Sequence, residues 1–395
     1  MAVLTGVLRP DCESPALAGD VRQDTPIRSE ISGTGGVQQA KEKGEAVTWR
    51  KEPVAVEVQE LKSLTQSIEG VADRKIVYVG ENHDKSSHHA VELEALQALF
   101  RKDPKLAVGM EMFQRPFQSV IDAYIGGRIE EREFLKRTEY FDRWGFDYNL
   151  YKPILDFART EKIPVVALNI RREIVEKVGR EGAAALTEGE KKEIPADMDY
   201  TDTAYRERVE KVFKEHEGMK EKNFDFFFQA QVLWDETMAM SIDEYLKKEP
   251  GRRMVVFAGQ GHIAYGSGIP KRALRRNGLP YGILLNDADP DRDIGTYVVY
   301  PPEVEGKTAP RLMVLLKQSN ERVTITGLPD NSVSAEAGLK SGDVILALDG
   351  EPVRMISDIK LALFYKKSGD TIRVTAVRKG FLWGERELTI DVKLR

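Results

Sequence analysis

Two apolar runs in this chain end in the same four-residue pattern, glycine–x–x–histidine. Lys75-Ile76-Val77-Tyr78-Val79 leads into Gly80-Glu81-Asn82-His83, and Met254-Val255-Val256-Phe257-Ala258 leads into Gly259-Gln260-Gly261-His262. Uninterrupted apolar runs suit central strands of a parallel sheet, which helices cover on both faces. A glycine then bends the chain off each strand, and polar groups follow at once. In open α/β sheets ligands sit just there, in the crevice beyond the carboxyl ends of the strands. The chain has five histidines, and four of them (His83, His88, His89 and His262) lie in or just after the two motifs. The pattern therefore sets a fold class and a place for chemistry together.

A length of 395 residues predicts two or three folding units. The 41% hydrophobic and 31% charged shares are those of a globular protein. A net charge of −5 with both signs mixed argues against a dedicated nucleic-acid surface. No apolar stretch approaches the roughly 18 residues needed to span a bilayer. A single cysteine, Cys12, excludes a disulfide framework and a cysteine-based metal site. Met1–Leu8 lacks a basic region and a small-residue cleavage site, so the chain as written is expected to stay in the cytoplasm.

Residues 1–48 are rich in Gly, Ser, Pro, Thr and charge, and read as a disordered tail. From Trp49 to about residue 304, short apolar strands alternate with longer amphipathic segments. This predicts a layered α/β domain with a mostly parallel central sheet. The expected strands are Ile76–Val79, Leu106–Met110, Pro164–Leu168, Met254–Ala258 and Tyr281–Leu285. Helices are expected over His88–Phe100, Tyr151–Glu161, Arg171–Val178, Ala204–Glu215 and Phe224–Lys247. The long helical stretch between Ile170 and Gly251 suggests a lid or an oligomer surface. Residues 305–395 predict a small β-rich module. Its strands are Val344–Leu348, ended by the turn Asp349-Gly350, then Thr371–Arg378 and Glu387–Leu394.

If the large-domain strands are parallel neighbours, polar residues at their ends converge on one rim. Glu81 and His83 follow the first strand, Glu111 the second, Asn169 the third, and Gln260 and His262 the fourth. Imidazole and carboxylate together suit a transition metal or acid–base work. Asn286 and Asp287, after the fifth strand, read as ordinary loop polarity. His88 and His89 are adjacent on a helix and diverge by about 100°, so one of them is expected to face the site. His89 and Glu92, three apart, are not the two-histidine arrangement of a zincin helix. Gln231 and Asp235 interrupt the apolar stripe of the 224–247 helix. They orient the site histidines or cap a strand end; the pattern supports both. The aromatic cluster Tyr140–Tyr151 reads as packing, or as walls for a flat apolar ligand, and tyrosinate is a known haem iron ligand.

The combination Gly-Glu-Asn-His-Asp with His88-His89, Gly109-Met110-Glu111-Met112-Phe113, Leu168-Asn169-Ile170, Gln231-to-Ala239, Gly259-Gln260-Gly261-His262 and Gly268-Ile269-Pro270 resembles the ChaN family, within the Tiki/TraB/erythromycin-esterase superfamily. The resemblance covers about residues 50–300. It implies haem binding, a homodimer with haem near its interface, and a cell-envelope or periplasmic role in iron or haem uptake. It makes His83, His88, His89, Tyr148, Tyr151, Tyr205 and Trp234 candidate cofactor-binding residues. The wider superfamily includes metal-dependent hydrolases. By that resemblance Glu81, His83, Glu111 and His262 would be the metal and catalytic set, with zinc or manganese. The C-terminal module resembles a PDZ domain of the bacterial protease-associated kind. Arg311, Leu312, Met313 and Val314 then form the carboxylate loop and adjoining strand for a peptide or protein C-terminus, although the loop lacks the usual glycine.

Two functions follow. A haem-binding protein would dock a partner through its PDZ module. A metal-dependent peptidase or esterase would present substrate through it. The closer resemblance favours haem.

Overall fold

The strand that carries each motif is central because it is apolar on both sides. In the computed structural model, which describes residues 55–215, 222–380 and 384–395, β1 (Ile76–Glu81) and β4 (Arg253–Gly259) lie side by side. The expected tail at 1–48, with Cys12, lies outside the described residues. Lys62–Arg395 belongs to one compact unit, while the short 3₁₀ turn Val58–Glu60 belongs to another.

With β2 (Leu106–Gln114), β3 (Val165–Asn169), β5 (Tyr281–Asn286) and β6 (Tyr297–Val299), the sheet runs in the order β3-β2-β4-β1-β5-β6, parallel throughout. The helices Ser86–Lys102 and Lys152–Thr160 form the crossovers from β1 to β2 and from β2 to β3, as parallel pairing requires. β6 was not expected from sequence. It has three residues, all only half-buried, too few for a period to show.

Alternate residues of the strands face opposite sides, and both sides are filled. Val77, Val79, Val108, Met110, Val255 and Phe257 join one core with the helix Ser86–Lys102. Ile76, Tyr78, Met254, Val256 and Ala258 join the other with Ile174, Val175, Val178, Leu233, Met238 and Ile242. Those last six sit on the helices Arg172–Glu181 and Phe224–Lys248. These two helices of the expected lid or oligomer stretch are thus the second covering layer of the sheet rather than a lid. Each buried Leu, Ile or Val there contributes about 1.5–3 kcal/mol that an uncovered sheet face would forgo.

The C-terminal sheet is antiparallel, ordered β12-β11-β9-β8-β7, with β10 (Glu351–Pro352) paired to β9. Its strands are β7 (Leu315–Ser319), β8 (Arg322–Gly327), β9 (Val344–Leu348), β11 (Thr371–Lys379) and β12 (Glu385–Lys393). The Asp349-Gly350 turn has φ of 49° and 85°, which is why glycine follows the aspartate there. Arg311–Val314 precede β7, and Met313 takes the left-handed φ of 54° where a glycine was missed in the sequence. The Ser334 and Ser332 hydroxyls donate to the Leu312 and Met313 carbonyls and fix this loop.

One buried ion pair anchors the module. Asp343 receives Arg378 on both carboxylate oxygens, at 2.7 and 2.8 Å, and accepts the Lys340 amide. Burial opposes its ionisation, but Arg378 and that amide outweigh it and hold the carboxyl below its ordinary range. Such a contribution is present at neutral pH and lost as pH falls through the lowered value. Asp343→Asn is expected to cost about 2–3 kcal/mol, the low end for a broken buried pair because Arg378 is partly exposed. Urea unfolding at pH 7 and at a pH well below 3.8, the ordinary aspartate value, checks it; the gap between variant and parent should shrink only at that acid end.

Candidate functional site

The adjacency of β1 and β4 brings the two motifs into register, with Glu81 opposite Gly259. On the far side of β4, Met110 pairs with Phe257, so Glu111 lies one residue beyond in β2. There β2 bulges: pairing with β3 jumps from Met110–Ala167 to Gln114–Asn169. A bulge re-aims a side chain at the edge of a ladder. Glu111 consequently accepts the Gly259 amide at 2.7 Å, across the top of β4.

Gly259 forms the floor. A Cβ there would lie 3.0 Å from His83 Nε2 and 3.6 Å from Glu111 Oε2. His83 is held from behind by Glu81, whose Oε1 binds its Nδ1. His262 is held in the same way, with Nδ1 2.7 Å from Asp235 Oδ1, and its Nε2 lies 3.7 Å from Glu111 Oε1. Each imidazole thus has one nitrogen tied to a buried carboxylate and the other left for the crevice, the arrangement that orients ligand or acid–base histidines. Trp144 and Phe146 flank the His83 ring, with centroids 4.8 and 5.0 Å away. Trp234 meets His262 edge-on.

The charges follow from this pairing. Burial opposes ionisation of Glu81, but His89 and His83 outweigh it and keep the carboxyl well below its usual range. Burial pushes His83 down, and Glu81 more than restores it, so its value ends raised. His262 is pushed up to about 9: burial works against this, and the carboxylates of Glu111 and Asp235 prevail. His262 is therefore an imidazolium at neutral pH.

The other sequence candidates lie behind or beside this crevice. His88 is a loop staple: Nδ1 accepts the Asn82 amide at 2.8 Å and Nε2 meets Asp287 at 2.9 Å. His89 donates from Nε2 to the His83 carbonyl at 3.2 Å, while Nδ1 faces Glu92 and Glu81. Tyr151 donates to Glu81 at 3.1 Å and Tyr205 to Asp235 at 2.5 Å. Tyr148, Tyr151 and Tyr205 are all buried, and burial raises all three phenols well above their ordinary value. Asn286 donates to the Gly80 carbonyl and Asn169 to the Glu111 carbonyl, so both shape backbone. Gln260 and Asn82 join the two motifs at 2.6 Å. Of the pair left open in the sequence, Asp235 orients a histidine, whereas Gln231 Nε2 is buried without a hydrogen-bond partner among the described residues. Sequence reasoning passed over Glu92. Its i, i+3 spacing from His89 was visible, but that spacing alone does not show that Glu81 would meet them from another strand.

The paired histidines and carboxylates thus stand at the carboxyl ends of an open parallel sheet, in an α/β domain joined to an antiparallel β module. Residues 67–273 match the family described as haem-binding uptake, Tiki superfamily, ChaN, and residues 310–394 match the PDZ domain family. The first match spans over half of the chain, and the chain belongs to the ChaN family. A relative is the chloroplastic protein RETICULATA-RELATED 5 of Arabidopsis thaliana, 26% identical over 266 residues, covering 60% of this chain and 34% of that one. The chain thus spans about a third of that relative's length. The serine protease Do-like HtrA of Lactobacillus helveticus is 39% identical over 64 residues, covering 16% of this chain and 14% of its own. Among solved structures, that of ChaN of Campylobacter jejuni with cofacial haem has a TM-score of 0.50 at 15% identity, covering 60% of this chain and 91% of that one. That likeness shows a shared fold.

Proposed function

We propose that this protein binds haem at the crevice above β1, β4 and β2, and docks a partner's C-terminus through its PDZ domain. One observation carries the haem reading beyond family membership. Of the candidate ligand side chains, His83 is the one that reaches the rim, 13% exposed and set between Trp144 and Phe146. Aromatic walls beside an imidazole suit a flat apolar porphyrin. The three tyrosines suit it less, because haem ligation needs tyrosinate and burial opposes that charge. His88 and His89 have both ring nitrogens engaged. That leaves His83, with Glu81 on Nδ1 keeping Nε2 as the ligand atom. Haem itself would supply the iron and the colour by which binding is read.

Titrating the full chain with hemin checks this. The parent should give a saturable Soret band, and His83→Ala should weaken binding at least about tenfold, roughly 1.4 kcal/mol. Tyr151→Phe and Tyr205→Phe should bind as the parent does. No band beyond that of free hemin in the parent sinks the haem reading; a His83→Ala titration like the parent's sinks the ligand assignment.

The finer parts of the proposal are an uptake or handling role for haem and a pair of chains around it. They draw on the family description and on the cofacial haem of the Campylobacter jejuni protein. Gel filtration with and without hemin reads the pairing. For the PDZ domain, β7 pairs with β8 on one side among the described residues, leaving its other edge for strand addition.

A further inference from the structure

A second cluster lies behind the crevice, buried and sharing only Glu81 with it. Glu81, His89 and Glu92 place three ligand atoms within 4.8 Å of one another, all in buried residues. We propose that this triad is a site for one divalent transition-metal ion, and the inference stands independently of haem binding.

The argument begins with the His89 tautomer. Its Nε2 lies 3.2 Å from the His83 carbonyl oxygen, which can only accept, so Nε2 carries a proton. Nδ1 then faces two carboxylate oxygens, Glu81 Oε2 at 2.8 Å and Glu92 Oε2 at 2.9 Å. A hydrogen on Nδ1 serves one of them. It bonds Glu92, and among the described residues Glu81 Oε2 is left buried without a hydrogen-bond donor, as is Glu92 Oε1. Buried carboxylate oxygens without donors are costly, and a cation removes the cost.

A divalent ion meets all three atoms at once and balances two carboxylate charges. Metal–ligand bonds of about 2.0–2.2 Å put neighbouring ligand atoms about 3.0–3.5 Å apart, close to the separations from Nδ1 seen here. The Nε2–H bond to a backbone carbonyl is the outer-shell contact that fixes a ligating imidazole. One imidazole with two carboxylates suits zinc or manganese better than calcium or magnesium, which prefer oxygen alone. Glu81 Oε1 stays committed to His83 and Tyr151, so the same carboxylate would link the ion to the crevice.

The test uses the full chain stripped with a chelator and titrated with Mn²⁺ or Zn²⁺ alone, with elemental analysis after gel filtration. One ion per chain is expected. Glu92→Gln should weaken binding at least about 100-fold, while His262→Ala should leave it unchanged. No bound ion overturns the proposal, as does parent-like binding by Glu92→Gln or loss of the ion in His262→Ala. Should Glu92→Gln not fold, pulsed EPR of Mn²⁺ on the parent decides. One coupled histidine nitrogen supports the triad; none, or two, overturns it.

Discussion

Asp235→Ala is expected to destabilise the α/β domain by about 3–5 kcal/mol, the range for breaking a buried charged network. Asp235 is fully buried at the middle of the Phe224–Lys248 helix. One oxygen holds His262 Nδ1 at 2.7 Å; the other accepts Tyr205 at 2.5 Å and lies 3.9 Å from Arg272, itself buried. Alanine leaves an imidazole, a phenol and a guanidinium without their shared acceptor. At about 2–4 °C per kcal/mol for a domain of this size, the melting temperature should fall by roughly 6–20 °C. The effect has a pH signature. His262 is raised from an ordinary 6.5 to about 9, so its contribution is complete below about pH 6.5 and is lost as pH rises through 9. Parent stability should therefore decline between pH 7 and pH 10, and the variant should decline less. Urea denaturation across that range reads both. A loss under about 1 kcal/mol, or parallel pH profiles, would mean that the network does not hold His262.

The sequence made β1 to β5 legible because burial on both faces demands unbroken apolar runs. It also placed Glu81, His83, Glu111 and His262 at strand ends. What it could not supply was strand order. That β4 inserts between β1 and β2, setting Glu81 opposite Gly259, is a pairing between residues far apart in the chain, and no local period encodes it. The same limit hid Glu92, whose partner Glu81 comes from a strand rather than from its own helix. The 170–251 stretch was misjudged for a related reason. Its apolar stripe shows that it packs, but not that the unpaired face of the sheet is what it packs against. The tyrosines were candidate ligands through the family resemblance, and the burial of Tyr151 and Tyr205 against Glu81 and Asp235 is a property of packing.

Phe364→Ala is expected to cost about 3–5 kcal/mol and to uncouple the PDZ domain from the α/β domain. The helix Ile356–Phe364 serves two cores. Ile359 and Leu363 pack inside the PDZ domain, whereas Leu361 and Phe364 join the core of the α/β domain. Residues three and four apart share a helical face, so one short helix can present both stripes. The Phe364 ring lies 5.3 Å from that of Tyr148 and 6.0 Å from that of Phe141. Around it, Tyr365 donates to Glu131 at 3.4 Å and the Ala309 amide to Asp147 at 3.0 Å. These polar contacts are partly exposed and contribute little alone. The phenyl ring therefore dominates the attachment. Calorimetry of the parent should show one cooperative transition, and the variant two, with the PDZ domain melting first. A single transition shifted by less than about 3 °C would mean that the ring is dispensable. Beyond the Phe364 ring the packing continues inward. Tyr148 packs on Tyr140 at 5.2 Å, and Tyr140 on Tyr151, whose hydroxyl holds Glu81.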